Sequence, residues 1–296
     1  MRLFTETFTI STPPRSTDLC SKQSCLKFLT FLGCHQIKNA QALKDLGAVF
    51  RNCKHLKTIE FERCRIGICE LLDEIPNSST CSLKIRCTPF LYMTTISRWR
   101  DYSLSSVEAE KLAGVLPRFN VTALHLVLVD CCAAAVNKLV SSITHKTLQE
   151  LVLYGISLTP AAAVTLGRSL PELSSLEMFG LIGVDGSTLQ VKEVEALFGG
   201  INKTYPTLKW LLLKNFDARG SLAPLTRRVF FFSNLTCLEL GNLNMDKREM
   251  HGLLESITFI SNLKGLFLYD NPLGSPVRVQ SAVQQALPQA YLGYRY

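Results

Sequence analysis

The sequence predicts an α/β solenoid in which short parallel strands alternate with helices. One observation is a recurring apolar-x-x-apolar-x-apolar pattern, clearest in the copies that begin at Leu148, Leu208, Leu235 and Leu263. A second is the spacing, since the intervals 121–148, 208–235 and 235–263 span 27, 27 and 28 residues. Leucine-rich repeats run ~20–29 residues and each supplies one strand and one helix. The expected architecture is therefore a leucine-rich repeat horseshoe, with parallel strands on the concave face and helices on the convex face.

Less regular copies of the pattern extend the repeat region to residues 26–288, which makes about eight or nine units. They begin at Leu26, Leu56, Val121 and Leu173, and a weaker copy runs through Leu83 and Ile85. The interval from 173 to 208 is 35 residues, so this unit is expected to carry an insertion within residues 183–190. Residues 1–25, with a possible strand at 3–10, are expected to be a capping segment, and residues 289–296 a tail.

The segments between the strands have the features of amphipathic helices. Residues 159–170 begin with Thr159, a candidate N-cap, and Pro160 takes the first helical position. In residues 105–116, Ser105 and Glu108 have the spacing of a capping box. The equivalent segments in the last two units are residues 246–257 and 277–287. These segments predict a full α-helix on the convex side of most units.

The sequence LQELVLYGISLTPAAAVTLGRSLPELSSLEMFG, together with LKGLFLYDNPLG, resembles a known repeat class. Both are similar to the ribonuclease-inhibitor-like leucine-rich repeats at the C-terminal end of NACHT-type (NOD-like) innate immune receptors. The resemblance covers about residues 26–288 and implies a ligand-sensing or auto-inhibitory role. Asn271 stands where that class often carries an asparagine that hydrogen-bonds the backbone as the strand turns, and Cys34 and Cys64 hold equivalent places. Residues 180–187 (GLIGVDGS) lack the lysine of a phosphate-binding loop.

Composition places the chain in a reducing compartment. The eleven cysteines are an odd number, and the first ten residues lack the continuous apolar stretch of a signal peptide. No run approaches the ~18 apolar residues of a membrane span. The net charge of +8 is spread along the chain rather than gathered in a patch, which argues against specific nucleic-acid binding. The expected location is cytoplasmic.

Motifs that carry chemistry are not found. The five histidines form no H-E-x-x-H zinc motif, and no G-x-S-x-G nucleophile elbow is present. The cysteines at Cys64, Cys69, Cys81 and Cys87 lack the close C-x2-C spacing of a structural zinc site. The chain is therefore predicted to have no catalytic residues, no metal and no cofactor, and not to be an enzyme.

A solenoid offers its concave sheet as a binding surface. The residues between the inward-pointing leucines of each strand project from that face. The positions proposed from the sequence as partner-binding are Tyr154, Phe179, Trp210, Lys214, Phe267 and Tyr269. Exposed aromatic side chains beside charges are typical of protein-binding hot spots. The predicted function is protein–protein recognition, and the alternative is a stand-alone scaffold or substrate-recruiting subunit, for example of a ubiquitin ligase.

Overall fold

The structure is a computed structural model that describes residues 7–10, 27–32, 56–62, 64, 72–73, 82–86, 102–144, 146–184, 186–199 and 205–293. The chain divides into two compact units, Met1–Leu148 and Gln149–Tyr296. Both are α/β, and in each the strands lie parallel in chain order. Parallel strands need a crossover between them, and helices supply it wherever a helix is described between two strands. The predicted α/β class with parallel strands is confirmed.

In the first unit, helices are described after the fourth and fifth strands. The strands are β1 Thr7–Ile10, β2 Phe28–Leu32, β3 Thr58–Glu62, β4 Ser82–Arg86 and β5 Asn120–Val127, and the helices are α1 Ser106–Val115 and α2 Ala133–Ser141. The weak copy through Leu83 and Ile85 is confirmed as β4, where both side chains are buried. The possible strand at residues 3–10 is present as β1, although residues 1–6 lie outside the described part.

In the second unit, strand and helix alternate throughout. The strands are β6 Glu150–Ile156, β7 Met178–Gly183, β8 Trp210–Lys214, β9 Cys237–Gly241, β10 Gly265–Phe267 and β11 Tyr291–Gly293. The helices are α3 Pro160–Ser169, α4 Val191–Phe198, α5 Ala223–Thr226, α6 Lys247–Ile257 and α7 Pro276–Ala286. Within residues 289–296, which the sequence predicts as a C-terminal tail, residues 291–293 form β11, and residues 294–296 lie outside the described part. None of the described helices is long and apolar enough to cross a membrane.

The helix N-termini are capped as the sequence predicts. The Ser105 hydroxyl accepts from the Glu108 amide, and the Glu108 carboxylate accepts from the Ser105 amide at 2.8 Å. The Thr159 hydroxyl accepts from the Ala162 amide at 3.1 Å, with Pro160 in the first turn. Such caps satisfy amides that have no partner within the helix. They fix where the helices begin relative to the preceding strands.

The register of β7 differs from the prediction. Leu151 and Leu153 of β6 pair with Phe179 and Leu181, so these two residues and not Leu176 and Met178 occupy the core positions of the strand. The unit therefore starts at Leu176, because this residue is equivalent to Leu148. The ambiguity arises because Leu173 and Leu176 are both buried and lie three residues apart, so either one fits the pattern.

The insertion lies where it was expected. Seven residues, 184–190, separate β7 from α4, whereas three, 157–159, separate β6 from α3. The repeat with the insertion is joined to the preceding repeat by Tyr205, whose buried hydroxyl donates to the Leu170 carbonyl at 2.8 Å. Burial raises the pKa of this phenol well above its ordinary value. The extra residues are thus accommodated without breaking the sheet between β7 and β8.

The hydrogen bonds predicted between Asn271 and the backbone at the end of a strand are confirmed. Its side chain is buried, and its Oδ1 accepts from the Leu243 and Met245 amides at 2.9 and 3.1 Å. Its Nδ2 donates to the Leu240 carbonyl at 2.7 Å. Cys64 acts similarly in the first unit, since its Sγ donates to the Phe31 carbonyl at 3.2 Å, whereas Cys34 lies outside the described residues. In both places a side chain hydrogen-bonds backbone groups near the end of a strand, where the sheet no longer supplies a partner.

Candidate partner-binding face

The open face of the second unit is the side of its sheet opposite the core leucines. Side chains alternate between the two faces of a strand, so every second residue of β6–β11 projects from it. The paired rows read Glu150, Met178, Trp210, Cys237, Gly265 and Tyr291, then Val152, Gly180, Leu212, Glu239, Phe267 and Gly293. The aromatic side chains of these two rows are Trp210 of β8, Phe267 of β10 and Tyr291 of β11.

Two of the six residues predicted to bind a partner are not accessible. Phe179 lies in the core with 1% of its surface exposed, so its assignment to the open face was wrong. The error follows from the register of β7, because a shift of one residue moves a side chain to the other face. Tyr154 does lie on the open face, but only 4% of it is exposed. Its contribution to this face is therefore packing.

The other four residues are placed together. Trp210, Lys214, Phe267 and Tyr269 are all part-exposed on or beside β8–β10. Tyr291 of β11 joins them, with its ring centroid 6.0 Å from that of Phe267. It was missed because residues 287–292 carry the pattern only weakly, as Leu287, Ala290 and Leu292. We call Trp210, Phe267, Tyr269 and Tyr291 the aromatic strip.

Glycines hold the rings of the aromatic strip close to the backbone. The Phe267 ring lies against Gly293 and Gly265, where an added Cβ would be 2.1 and 2.9 Å from its carbon atoms. The Tyr269 ring lies over Gly241 in the same way, 2.9 Å from such a Cβ. Any larger side chain at Gly241, Gly265 or Gly293 would push these rings away from the backbone. These two rings are therefore held in place before a partner binds, which lowers the conformational entropy that they lose on binding.

One ion pair sits within the strip. Lys214 Nζ is 3.1 Å from Glu239 Oε1 and 5.0 Å from the centre of the Tyr269 ring. The Glu239 side chain is largely buried, so the carboxylate needs this partner. Held on both sides, the lysine bridges β9 and the turn after β10. The pair leaves the centre of the strip with no net charge.

Cys237, between Trp210 and Gly265, gives the second unit a pH dependence that can be measured. Burial, and to a lesser extent the Glu239 carboxylate, raises the pKa of its thiol from 9.0 to about 12. Between these two values the folded state holds a proton that the unfolded state has lost, so raising the pH favours unfolding. The contribution of the protonated Cys237 thiol to the free energy of unfolding is complete below about pH 9 and is lost as the pH rises toward 12.

We expect Cys237→Ala to flatten this decline in urea titrations of unfolding between about pH 8 and pH 11. The variant removes the titrating thiol but keeps a small apolar side chain beside Trp210 and Gly265. Identical pH slopes for the variant and the wild type would show that Cys237 is not responsible.

A polar edge borders the open face where the strands end. A cavity of about 260 Å³ is lined there chiefly by the loops that follow β7–β10. Asn215, Asn242, Asn244 and Asp270 have positive φ angles of 49–58°. Asparagine and aspartate tolerate this conformation better than other non-glycine residues. Asn242 donates to Asn215 and Asn244 donates to Asp217, so the side chains form a ladder along the edge.

Metal ligands are not gathered among the described residues, where no group of three or more His, Cys, Asp or Glu side chains is placed to hold an ion. The described cysteines Cys131, Cys132 and Cys237 are free thiols.

Comparison with known proteins finds little. No family model matches the chain, and no curated protein matches it. Among solved structures, the chain is similar to a protein from Bacteroides fragilis at 14% identity and a TM-score of 0.41, over 95% of this chain and 68% of the other.

Proposed function

We propose that the chain is a leucine-rich repeat protein that recognises a partner protein through the open face of its second unit. The observation that carries the proposal is the aromatic strip. The Phe267 ring centroid lies 5.8 Å from that of Tyr269 and 6.0 Å from that of Tyr291, and Trp210 stands two strands away on β8. Contiguous exposed aromatic surface is uncommon on proteins that bind nothing. Aromatic side chains are also the most frequent hot spots of protein interfaces.

Repeat identity is supported by spacing and by the turn asparagine. The successive strands β6–β11 start 26 to 32 residues apart. The 32-residue interval contains the insertion, and the others fall within the usual range for such repeats. Asn271 hydrogen-bonds the backbone where the strand turns, as the resemblance to NACHT-type receptor repeats implies, and its bonds also reach the preceding repeat. We extend the proposal to a cytoplasmic sensing or auto-inhibitory module of the innate immune type. The alternative, a substrate-recruiting scaffold, would use the same face, and no described residue favours it.

The proposal is tested by selecting ligands from a display library of random peptides against the wild-type protein. Enriched peptides are then measured against the variant Phe267→Ala. Loss of a hot-spot ring typically costs ~2 kcal/mol or more, so we expect affinity to fall about 30-fold. Tyr291→Ala provides a second variant whose folding is less at risk, because 68% of that residue is exposed.

The matched control is Phe259→Ala. Phe259 follows α6, outside the open face, and is 78% exposed, so its removal should leave binding unchanged. Urea titration of each variant separates lost binding from lost folding. Peptides that bind the strip variants as tightly as the wild type would contradict the proposal.

A further inference from the structure

We propose that Ser275 is the phospho-acceptor of a proline-directed serine/threonine kinase and that the phosphate it receives pairs with Lys247. The inference is independent of the proposed function of the open face, because Ser275 lies in the loop between β10 and α7. Three features support it: a kinase recognition motif, a hydroxyl that caps no helix, and two neighbouring cations without a partner among the described residues.

The recognition motif is the sequence SPVR, in which proline follows Ser275 directly and Arg278 stands three residues after it. Proline-directed kinases accept proline after the phospho-acceptor, where it brings no backbone N–H that needs a partner, and the cyclin-dependent class also selects a basic residue at the third position. Residues 271–275 lie in neither a helix nor a strand, and Gly274, Ser275 and Val277 are exposed. The motif therefore lies where a kinase can reach it.

Thr159 provides an internal comparison, because it also precedes a proline and begins a helix in an earlier repeat. Its hydroxyl accepts from the Ala162 amide at 3.1 Å, and this alanine occupies the position that Arg278 holds after Ser275. Ser275 is the N-cap of α7, but its side chain makes no capping hydrogen bond. A kinase must break a cap to reach Thr159, whereas the Ser275 hydroxyl gives up no hydrogen bond to a described residue.

Two cations flank Ser275, and neither forms a hydrogen bond or an ion pair with its side chain to another described residue. The Lys247 side chain of α6 lies against Gly274, with Nζ 3.0 Å from the position of an added Cβ. Arg278 is exposed in the first turn of α7. Asp246, the acid next to Lys247, accepts instead from amides of its own helix. A negative group on Ser275 therefore meets uncompensated positive charge from two helices.

The transfer joins the γ-phosphoryl group of ATP to the Ser275 oxygen, while the P–O bond to ADP breaks and the hydroxyl proton is released. The product carries a charge of about −1.5 to −2 at pH 7 and three acceptor oxygens. Lys247 reaches the phosphate by turning its flexible side chain away from Gly274. Because Lys247 belongs to α6 and Ser275 begins α7, phosphorylation links these two helices.

The test is to incubate the full chain with ATP and a purified cyclin-dependent kinase and to map the products by mass spectrometry. We expect Ser275 to be modified at least about tenfold faster than Thr159, and Pro276→Ala to lose about the same factor. Thr12, which has the same motif, lies outside the described residues and is distinguished by its own peptide. Equal rates at Ser275 and Thr159, or no loss in Pro276→Ala, would overturn the assignment.

The contact with Lys247 is measured on the phosphorylated protein by phosphorus NMR. Nearby positive charge lowers the second pKa of the phosphate below its ordinary value of about 6. We expect Lys247→Gln to raise this pKa and to lower the midpoint of thermal unfolding by about 3 °C. The matched control is Lys264→Gln, an exposed lysine directly before β10, which should change neither.

The same variants distinguish a lost contact from a lost fold. Unphosphorylated Lys247→Gln should unfold at the wild-type temperature, because Lys247 has no ionic partner to lose among the described residues. If Lys247→Gln leaves both the phosphate pKa and the unfolding midpoint of the phosphorylated protein unchanged, the pairing with Lys247 is overturned.

Discussion

Replacing Asn271 by alanine is expected to lower the unfolding free energy of the second unit by about 4 kcal/mol. The buried amide accepts from the Leu243 and Met245 amides and donates to the Leu240, Leu268 and Tyr269 carbonyls. Alanine leaves two buried N–H groups without this acceptor, and each costs ~1–3 kcal/mol. The measurement is urea denaturation followed by tryptophan fluorescence, since Trp210 reports on this unit.

Two further variants sharpen this prediction. Asn271→Asp keeps the acceptor but turns a second oxygen toward the carbonyls to which Nδ2 donates, so it should also destabilise the unit. Asn262→Ala is the matched control, because its exposed amide donates only to the Ser233 carbonyl and to Asn234 Oδ1 among the described groups. Its loss should cost less than about 1 kcal/mol. If Asn271→Ala and Asn262→Ala lower the unfolding free energy by the same small amount, the buried turn does not hold the neighbouring repeats together.

Replacing Gly167 by alanine is expected to destabilise the second unit by about 3 kcal/mol. Helices α3 and α4 approach so closely here that an added Cβ would stand 1.7 Å from the Ala196 carbonyl oxygen. Backbone cannot give way as a flexible side chain can, so the helices must separate or the strands behind them must shift. Circular dichroism during thermal unfolding should show a lowered midpoint.

The matched control for this substitution lies in the same unit. Gly252 in α6 has no heavy atom within 4 Å of an added Cβ. Alanine there should stabilise the protein by ~0.5–1 kcal/mol, because glycine loses more conformational freedom than alanine in a helix. Equal effects at the two glycines would show that helix propensity, and not the close approach of α3 and α4, determines the outcome.

Most of the alternation of strand and helix follows from the sequence, because leucine spacing and helix caps are local signals. The Thr159 and Ser105 caps illustrate this, since each is determined by residues within three positions along the chain. The register of β7 was not determined in the same way. Leu173 and Leu176 satisfy one pattern equally well, and only pairing with β6 selects between them.

The candidate face was harder to predict for the same reason. Whether an aromatic residue is exposed depends on its strand neighbours, so Phe179 and Tyr154 could not be distinguished from Phe267 by position alone. Tyr291 was missed because Ala290 is a weak signal where leucine usually stands. Gly293 and Gly241, which lie under Phe267 and Tyr269, are on neighbouring strands, and sequence spacing does not show which glycine meets which ring.

The most direct test of the account is hydroxyl-radical footprinting of the full chain, alone and with the tightest peptide from the display selection. Tyr291 and Phe259 are both well exposed and react readily when free. We expect the peptide to protect Tyr291 and Trp210 and to leave Phe259 as reactive as before. Protection of Phe259 with no change at Tyr291 would place the binding surface elsewhere and contradict the central claim.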